Sequence, residues 1–319
     1  MTFHPKNILL FGATGQIGSF ILSSLLTARN EFNRIVIFTS PGTASKKASL
    51  LSDLKTKSNV EIIVGDITDE NAIREAYNGI DTVISAVGRD ALQYQIPLIA
   101  LASSHPDVKW ILPSEFGTDI AYSPASVNEK PHQQKLKVRA YLEENQEKGT
   151  LGVGYTYVVT GPFADYYLRL IPEEQGGGWD VARRKGVLLE KGNEVSLTSM
   201  KDVGTLVLET LRRPDVAMNR ALKVNSFTTT PALIQKEFER QTGGEAWKDV
   251  SEISLARLRE LETAAWEAGK PYATVLTLRR IWTEGGTLYD KRDNGLIGEP
   301  PMVTLEEMVA EEVKRAGQV

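Results

Sequence analysis

The sequence predicts an α/β fold: a parallel sheet wound by crossover helices, followed by a smaller, discontinuous C-terminal domain. Three observations carry the prediction. Over residues 7–163, apolar runs of strand length alternate with segments of helix length, the order that parallel β-α-β units impose. The runs are nearly continuous in Ile, Val and Leu, as in Val60-Glu61-Ile62-Ile63-Val64, which is the pattern of strands buried on both faces. The chain has 319 residues, beyond the roughly 250–300 at which a single core stops growing, so a second packing unit is expected.

Strands are expected at 7–13, 34–39, 60–65, 82–87, 108–113 and 155–160, and helices near 16–28, 45–57, 69–78, 90–104 and 129–147. After Pro162 the alternation breaks. Gly176-Gly177-Gly178-Trp179 reads as a flexible corner, either a mobile lid or a surface loop. Residues 186–190 and 194–197 read as a hairpin with its turn at Gly192-Asn193, since such dipeptides supply the backbone conformations of tight turns. A helix opening near Lys201-Asp202, with Asp202 placed to cap its free amides, and a strand at 221–225 would return the chain to the first sheet. Helices near 231–241, 254–268, 274–284 and 304–316 complete the second unit. The predicted division is 1–160, with a return segment at about 198–229, for the sheet domain, and 161–197 with 230–319 for the smaller one. No internal repeat is visible.

Composition removes several classes of function. Hydrophobic residues make up 41% and charged residues 24% of a chain of net charge −4, so a folded protein is expected. A nucleic-acid ligand is not, because Lys and Arg are scattered rather than gathered into a basic face. There is no cysteine, which excludes disulfides, a thiol nucleophile and a cysteine-ligated zinc. With only His4, His105 and His132, no metal site is expected. The apolar run at 8–11 lacks the length and flanks of a signal peptide, and no stretch approaches the roughly 20 apolar residues that span a bilayer. The expectation is a cytoplasmic protein, monomer or homodimer, with no membrane contact.

The sharpest local signal is Gly12-Ala13-Thr14-Gly15-Gln16-Ile17-Gly18, set between the first strand and an apolar helix. Glycines allow the tight turn and let the backbone approach a pyrophosphate, while the helix N-terminus offers amides and partial positive charge to the phosphates. In that context the motif predicts a Rossmann-type dinucleotide site, with Gly12, Thr14, Gly15, Gln16, Ile17 and Gly18 as its first contacts. The competing reading is a glycine turn with no ligand. The end of the second strand distinguishes NAD from NADP, because an acidic residue there accepts from the ribose hydroxyls. Here it reads Phe38-Thr39-Ser40-Pro41, with no carboxylate, and Lys46 and Lys47 follow. Ser40 and the two lysines are candidates for a 2′-phosphate, so NADPH is the expected cofactor; paired lysines also occur simply as a solvated helix start. Asp66, after the third strand, either accepts from an adenine amino group or caps a turn. The small residues Ser85, Ala86 and Val87 suit either a backbone lying against the nicotinamide ribose or close packing. Pro162 and Phe163 leave the sixth strand at its carboxyl end, where wound sheets bind ligands.

Two further segments make the pattern specific. Leu112-Pro113-Ser114-Glu115-Phe116-Gly117 follows the fifth strand, and Pro131-His132-Gln133-Gln134-Lys135-Leu136-Lys137-Val138-Arg139 precedes Tyr155-Thr156-Tyr157-Val158. Together with the glycine turn, these segments resemble the NmrA-like, isoflavone-reductase-like branch of the atypical short-chain dehydrogenases, which includes phenylcoumaran benzylic ether and pinoresinol-lariciresinol reductases. The resemblance is specific over 7–165 and general beyond. It implies cofactor glycines at Gly12, Gly15 and Gly18, a 2′-phosphate lysine at Lys47 and a catalytic lysine at Lys135. Two features depart from it. Thr39 stands where plant reductases of this type carry an Arg, leaving the phosphate to Ser40 and the lysines. The Tyr-x-x-x-Lys pair of ordinary short-chain dehydrogenases is absent, the position four before Lys135 being Pro131.

On the residues alone, Lys135 reads as a solvated lysine on a helix that also carries Lys130, Lys137 and Arg139. The resemblance makes it a general acid/base, which burial beside a nicotinamide and an aromatic substrate would tune by lowering its pKa from about 10.4. His132, three residues earlier, reads as an ordinary surface histidine. Phe116, Phe163, Tyr166, Tyr167 and Trp179 are candidate substrate-binding residues, with core packing as the competing reading. The expected function is NADPH-dependent reduction of a small aromatic or polyketide-like metabolite by hydride transfer. Two alternatives stay open: an NADP-binding redox sensor that acts without turnover, and a redox-neutral cyclase or isomerase that keeps the dinucleotide as a template.

Overall fold

The structure, a computed structural model, describes residues 3–171 and 174–317. Six strands fall on the six predicted segments: β1 (Asn7–Phe11), β2 (Arg34–Thr39), β3 (Val60–Val64), β4 (Thr82–Ser85), β5 (Trp110–Leu112) and β6 (Gly154–Val159). Later in the chain come β7 (Gly178–Asp180), β8 (Lys185–Leu189), β9 (Val195–Leu197), β10 (Arg220–Lys223), β11 (Phe227–Thr229) and β12 (Asp249–Ile253). The central sheet has seven strands in the order β10-β6-β5-β4-β1-β2-β3, and every pairing within it is parallel. The return strand β10 closes one edge beside β6.

The helices of the first half are α1 (Gln16–Thr27), α2 (Pro41–Lys46), α3 (Ala48–Lys55), α4 (Glu70–Tyr77), α5 (Gln95–Ser104) and α6 (Gln133–Glu147). The second half adds α7 (Ala164–Tyr167), α8 (Met200–Arg212), α9 (Pro214–Ala217), α10 (Pro231–Gln241), α11 (Leu255–Glu267), α12 (Ala273–Thr283) and α13 (Leu305–Ala316). Successive residues of a strand point to opposite faces, so β1 serves two cores. Ile8 and Leu10 pack with Ile21 and Leu25 of α1 and with Val203 and Leu206 of α8. Leu9 and Phe11 pack with Tyr77 of α4, Leu98 of α5 and Val138 of α6. A third core gathers Tyr167, Trp179, Leu188, Phe238 and Trp247, beneath a three-stranded sheet ordered β12-β8-β7.

Several expectations are corrected. The hairpin does not form, because β8 pairs with β7 and β12 whereas β9 pairs with β11. A turn does close between Glu190 and Asn193, with Glu190 at a left-handed φ of 43°, but it sends the two strands into different sheets. The glycine corner is no exposed lid. Gly178 and Trp179 are buried in β7, and a Cβ on Gly178 would stand 2.1 Å from the Arg169 carbonyl oxygen, so the glycine serves close packing. Ser199, not Asp202, caps α8, its Oγ accepting from the Asp202 N–H at 3.0 Å. Asp202 lies inside the first turn and accepts from the Ser226 hydroxyl and the Val303 N–H. The segment expected at 45–57 begins earlier, since Pro41 has the φ of a helix start and Ser40 caps it, and it divides at Lys47 into α2 and α3. Residues 89–94 and 130–132 are 3-10 turns leading into α5 and α6.

Candidate active site

A cleft opens where the chain leaves the carboxyl ends of β1, β4, β5 and β6, the rim at which wound sheets bind ligands. Two cavities lie along it. The smaller, about 180 Å³, is bounded by Gly12, Ala13 and Thr14, by Thr39, Ser40 and Thr43 around the start of α2, and by Asp66 beyond β3. The larger, about 410 Å³, is bounded by Gly15, Gln16 and Ile17, by Ala86, Val87 and Arg89, and by Ser114 and Phe116. Its wall continues with His132 and Lys135, then Pro162, Phe163 and Tyr166, and is closed by Leu278 and Trp282 from α12. Val87 borders both cavities.

The glycine turn is shaped for close backbone approach. Gly12 has a φ of 73°, and a Cβ there would stand 2.3 Å from the Ala86 carbonyl oxygen. A Cβ on Gly18 would stand 2.0 Å from the Gly12 carbonyl oxygen. Gly18 borders neither cavity, so it holds α1 against the turn. Gly15 is the N-cap of α1 and no side chain caps it, which leaves amides of the first helical turn without a side-chain acceptor. The turn therefore fits the pyrophosphate of a dinucleotide, which needs bare backbone and a helix N-terminus.

The residues around the smaller cavity are mixed in outcome. Ser40 Oγ accepts from the Thr43 N–H at 3.2 Å. Lys46 and Lys47 are exposed and border neither cavity. Asp66 Oδ1 accepts from the Thr68 N–H at 2.9 Å and the Thr68 hydroxyl at 2.8 Å; these bonds cap a turn and hold its carboxyl below the usual carboxylate range. Because Asp66 also borders the cavity, its two readings are compatible. Ser85 is buried and borders neither cavity, and its hydroxyl has no partner among the described residues.

Around the larger cavity the solvated reading of Lys135 is overturned. Its Nζ donates to the Glu115 carbonyl oxygen at 2.8 Å, and burial pushes its pKa down to about 8. Arg139 fixes that carbonyl's residue from below, Nη2 donating to Glu115 Oε2 at 2.7 Å and Nη1 to Asp119 Oδ1 at 3.4 Å. His132 is buried rather than on the surface. Phe116, Phe163 and Tyr166 border the cavity, whereas Tyr167 and Trp179 do not. Tyr167 lies under the Arg279 guanidinium at 4.5 Å, and Trp179 donates from Nε1 to Gln235 Oε1 at 2.8 Å with Phe238 against its ring. Both aromatics are core residues, so burial explains them without a substrate. Sequence reasoning missed Arg89, Leu278 and Trp282 as wall residues. Trp282 reaches the site from the far end of the chain, its Nε1 donating to Thr118 Oγ1 at 2.8 Å, and no local motif announces it.

Among the described residues, no group of three or more His, Asp or Glu side chains could hold a metal. No helix among them is long and apolar enough to cross a membrane.

A seven-stranded parallel sheet, with a glycine turn at its first crossover and a cleft at its carboxyl edge, defines a Rossmann-type α/β protein. The chain belongs to the NmrA-like family, which it matches over residues 4–258. It is 34% identical over 214 residues to phenylcoumaran benzylic ether reductase PT1 of Pinus taeda, an alignment spanning 66% of either chain. To an isoflavone reductase of Pisum sativum it is 29% identical over 276 residues, covering 82% of this chain and 83% of that one. Among solved structures it is similar to leucoanthocyanidin reductase of Vitis vinifera in binary complex with NADPH. The TM-score is 0.76 at 21% identity, covering 97% of this chain and 99% of that one.

Proposed function

We propose that the protein is an NADPH-dependent reductase of a small aromatic metabolite, with Lys135 as the general acid/base. The observation that carries this reading is the meeting, in one cleft, of a glycine turn that fits a dinucleotide and a half-buried lysine, its amine held on the Glu115 carbonyl, beside an aromatic wall. The relatives are reductases by name and the structural neighbour holds NADPH, which supports the same chemistry here. When bound, NADPH supplies a hydride to a substrate carbon. The protein's own part is to hold two molecules in register, keep water out and move one proton. Gly12, Thr14, Gly15, Gln16 and Ile17 would hold the pyrophosphate. Ser40, Thr43, Lys46 and Lys47 would serve a 2′-phosphate at the smaller cavity, the lysines extending from the exposed surface beside it. Phe116, Phe163, Tyr166 and Trp282 would wall the aromatic ring. With a pKa pushed to about 8, the Lys135 amine gives up and regains a proton near neutral pH, the condition for an efficient acid/base. The same reading assigns 1–160 with about 198–229 to the cofactor, and 161–197 with 230–319 to the substrate, in a cytoplasmic protein.

The test compares Lys135→Met with Lys137→Ala, since Lys137 is exposed and borders neither cavity. Calorimetry should find NADPH affinity within a few-fold of the unsubstituted protein in both. Turnover of any accepted enone, quinone or benzylic ether should fall by about 10²–10⁴ in Lys135→Met, the usual weight of a positioned proton donor, and stay nearly normal in Lys137→Ala. Ordinary turnover by Lys135→Met removes the lysine from the mechanism.

A further inference from the structure

His132 exposes 3% of its surface, yet neither ring nitrogen has a hydrogen-bond partner among the described residues. It borders the larger cavity together with Lys135, and the Tyr122 ring stands edge-on to it with centroids 6.2 Å apart. A buried donor or acceptor left unpaired costs free energy, so buried imidazoles normally find a carbonyl or a hydroxyl. The ring borders the cavity, so a partner arrives from that side, although each nitrogen exposes less than 1 Å² and a small turn of the ring is needed to present one. No carboxylate borders that cavity among the described residues, and the charged groups acting on the ring are Lys135, Arg139 and Arg89, with Asp119 opposing them. Burial, reinforced by the Lys135 charge, pushes the pKa of His132 down to about 4. Near neutral pH the ring is therefore uncharged, one N–H donor and one acceptor.

Resting on the reading of this cavity as the substrate site, we propose that His132 is a specificity residue that contacts the substrate, its neutral imidazole hydrogen-bonding an oxygen carried by the aromatic ring beside Lys135. The site then selects oxygen-bearing arenes over isosteres that carry a methyl group instead. A methyl arene leaves the imidazole unpaired and forgoes the bond that an oxygen makes, the difference by which hydrogen-bonding sites reject analogues that lack the polar group.

The test uses the full chain saturated with NADP⁺, labelled with ¹⁵N at histidine, and two probes of one shape, 2-naphthol and 2-methylnaphthalene. His4, His105 and His132 are the only histidines, so their ring signals are few enough to assign by substitution. The Trp282 indole resonance reports entry of either probe. Binding of 2-naphthol should be at least tenfold tighter than that of 2-methylnaphthalene and should move the His132 ring nitrogens. His132→Phe should bring the ratio near unity, and His132→Gln should keep most of it. The nitrogen shifts are read on the unsubstituted protein and decide the matter even where His132→Phe fails to fold. If both probes move Trp282 while the His132 nitrogens stay still, or His132→Phe keeps the full ratio, the proposal is overturned and the substrate reading stands. If neither probe moves Trp282, the substrate reading fails and takes the proposal with it.

Discussion

Lys135 carries a charge that its surroundings oppose, and this has a consequence for stability. Burial lowers its folded pKa to about 8 from the ordinary lysine value of 10.5. Between those values the unfolded chain keeps a proton that the folded chain has released, so stability rises with pH across that window, and below 8 the penalty of the buried charge is full. Lys135→Met removes the group. Its melting temperature relative to the unsubstituted protein is expected to be more favourable at pH 7 than at pH 10.5, with the change spread over that interval. A difference that does not vary with pH would contradict the buried charge. At this scale the sequence is legible where chemistry demands a local pattern, as in Gly12 and Gly18, since close backbone approach leaves no room for a Cβ at either. It is not legible where burial decides. A lysine on a helix looks solvated until β5 and its following loop cover it, and only the family resemblance singles out Lys135. His132 has the spacing to share a face with Lys135, but spacing says nothing of what lies over that face. Tyr167 and Trp179 mislead for the converse reason, since aromatic rings near a strand end suit a core as well as a site.

The loop after β5 is the element on which the site turns. It carries Glu115, whose carbonyl receives the Lys135 amine, and it is held by Arg139 of α6 and by Lys223 of β10, whose Nζ lies 2.9 Å from Asp119 Oδ2. The Arg139 guanidinium also lies 4.6 Å from the centre of the Tyr157 ring. Replacing Arg139 by Leu strands the Glu115 carboxylate in the interior, and breaking a buried pair in this way typically costs about 3–5 kcal/mol. The urea midpoint of Arg139→Leu should fall accordingly; a change below about 1 kcal/mol would mean that the ion pairs contribute little. Burial raises the Asp119 carboxyl, but its bonds to Lys223 and Ala121 and the Arg139 charge outweigh it and hold the pKa below 3.8. That contribution is whole above the ordinary carboxylate range and is lost as pH falls through the lower folded value. On the far side, α12 closes the same loop through Trp282 to Thr118 and through Arg280 to Glu129 at 2.7 Å. The wound sheet is legible because its strands are continuous apolar runs. β7 and β11 are not, being three residues each, and β12 is an exposed Asp249-Val250-Ser251-Glu252-Ile253 with no apolar run. The false hairpin at 186–197 shows the limit of turn signals, which report that the chain bends and not which neighbour each strand then meets.

In the whole molecule, the sheet supplies the glycine turn and the strand ends, while α12 supplies the last wall of the cavity from a segment more than a hundred residues beyond them. This division of labour is why the cofactor is readable from the sequence and the substrate is not. Dinucleotide binding draws on one contiguous motif, whereas the substrate wall is assembled from Phe116, Phe163, Leu278 and Trp282, which only folding brings together. It also defines what separates a reductase from a redox sensor or a redox-neutral isomerase, since all three would share the turn and differ only in what happens at the larger cavity. Transfer of label from NADPH deuterated at the reactive C4 position, followed by mass spectrometry of the product across a panel of aromatic enones, quinones and benzylic ethers, distinguishes them directly. Deuterium on a carbon of the product, with one NADPH consumed per product formed, is the expected result. Product that carries no deuterium while NADPH stays reduced, or tight NADPH binding with no turnover across the panel, would contradict the assignment as a reductase.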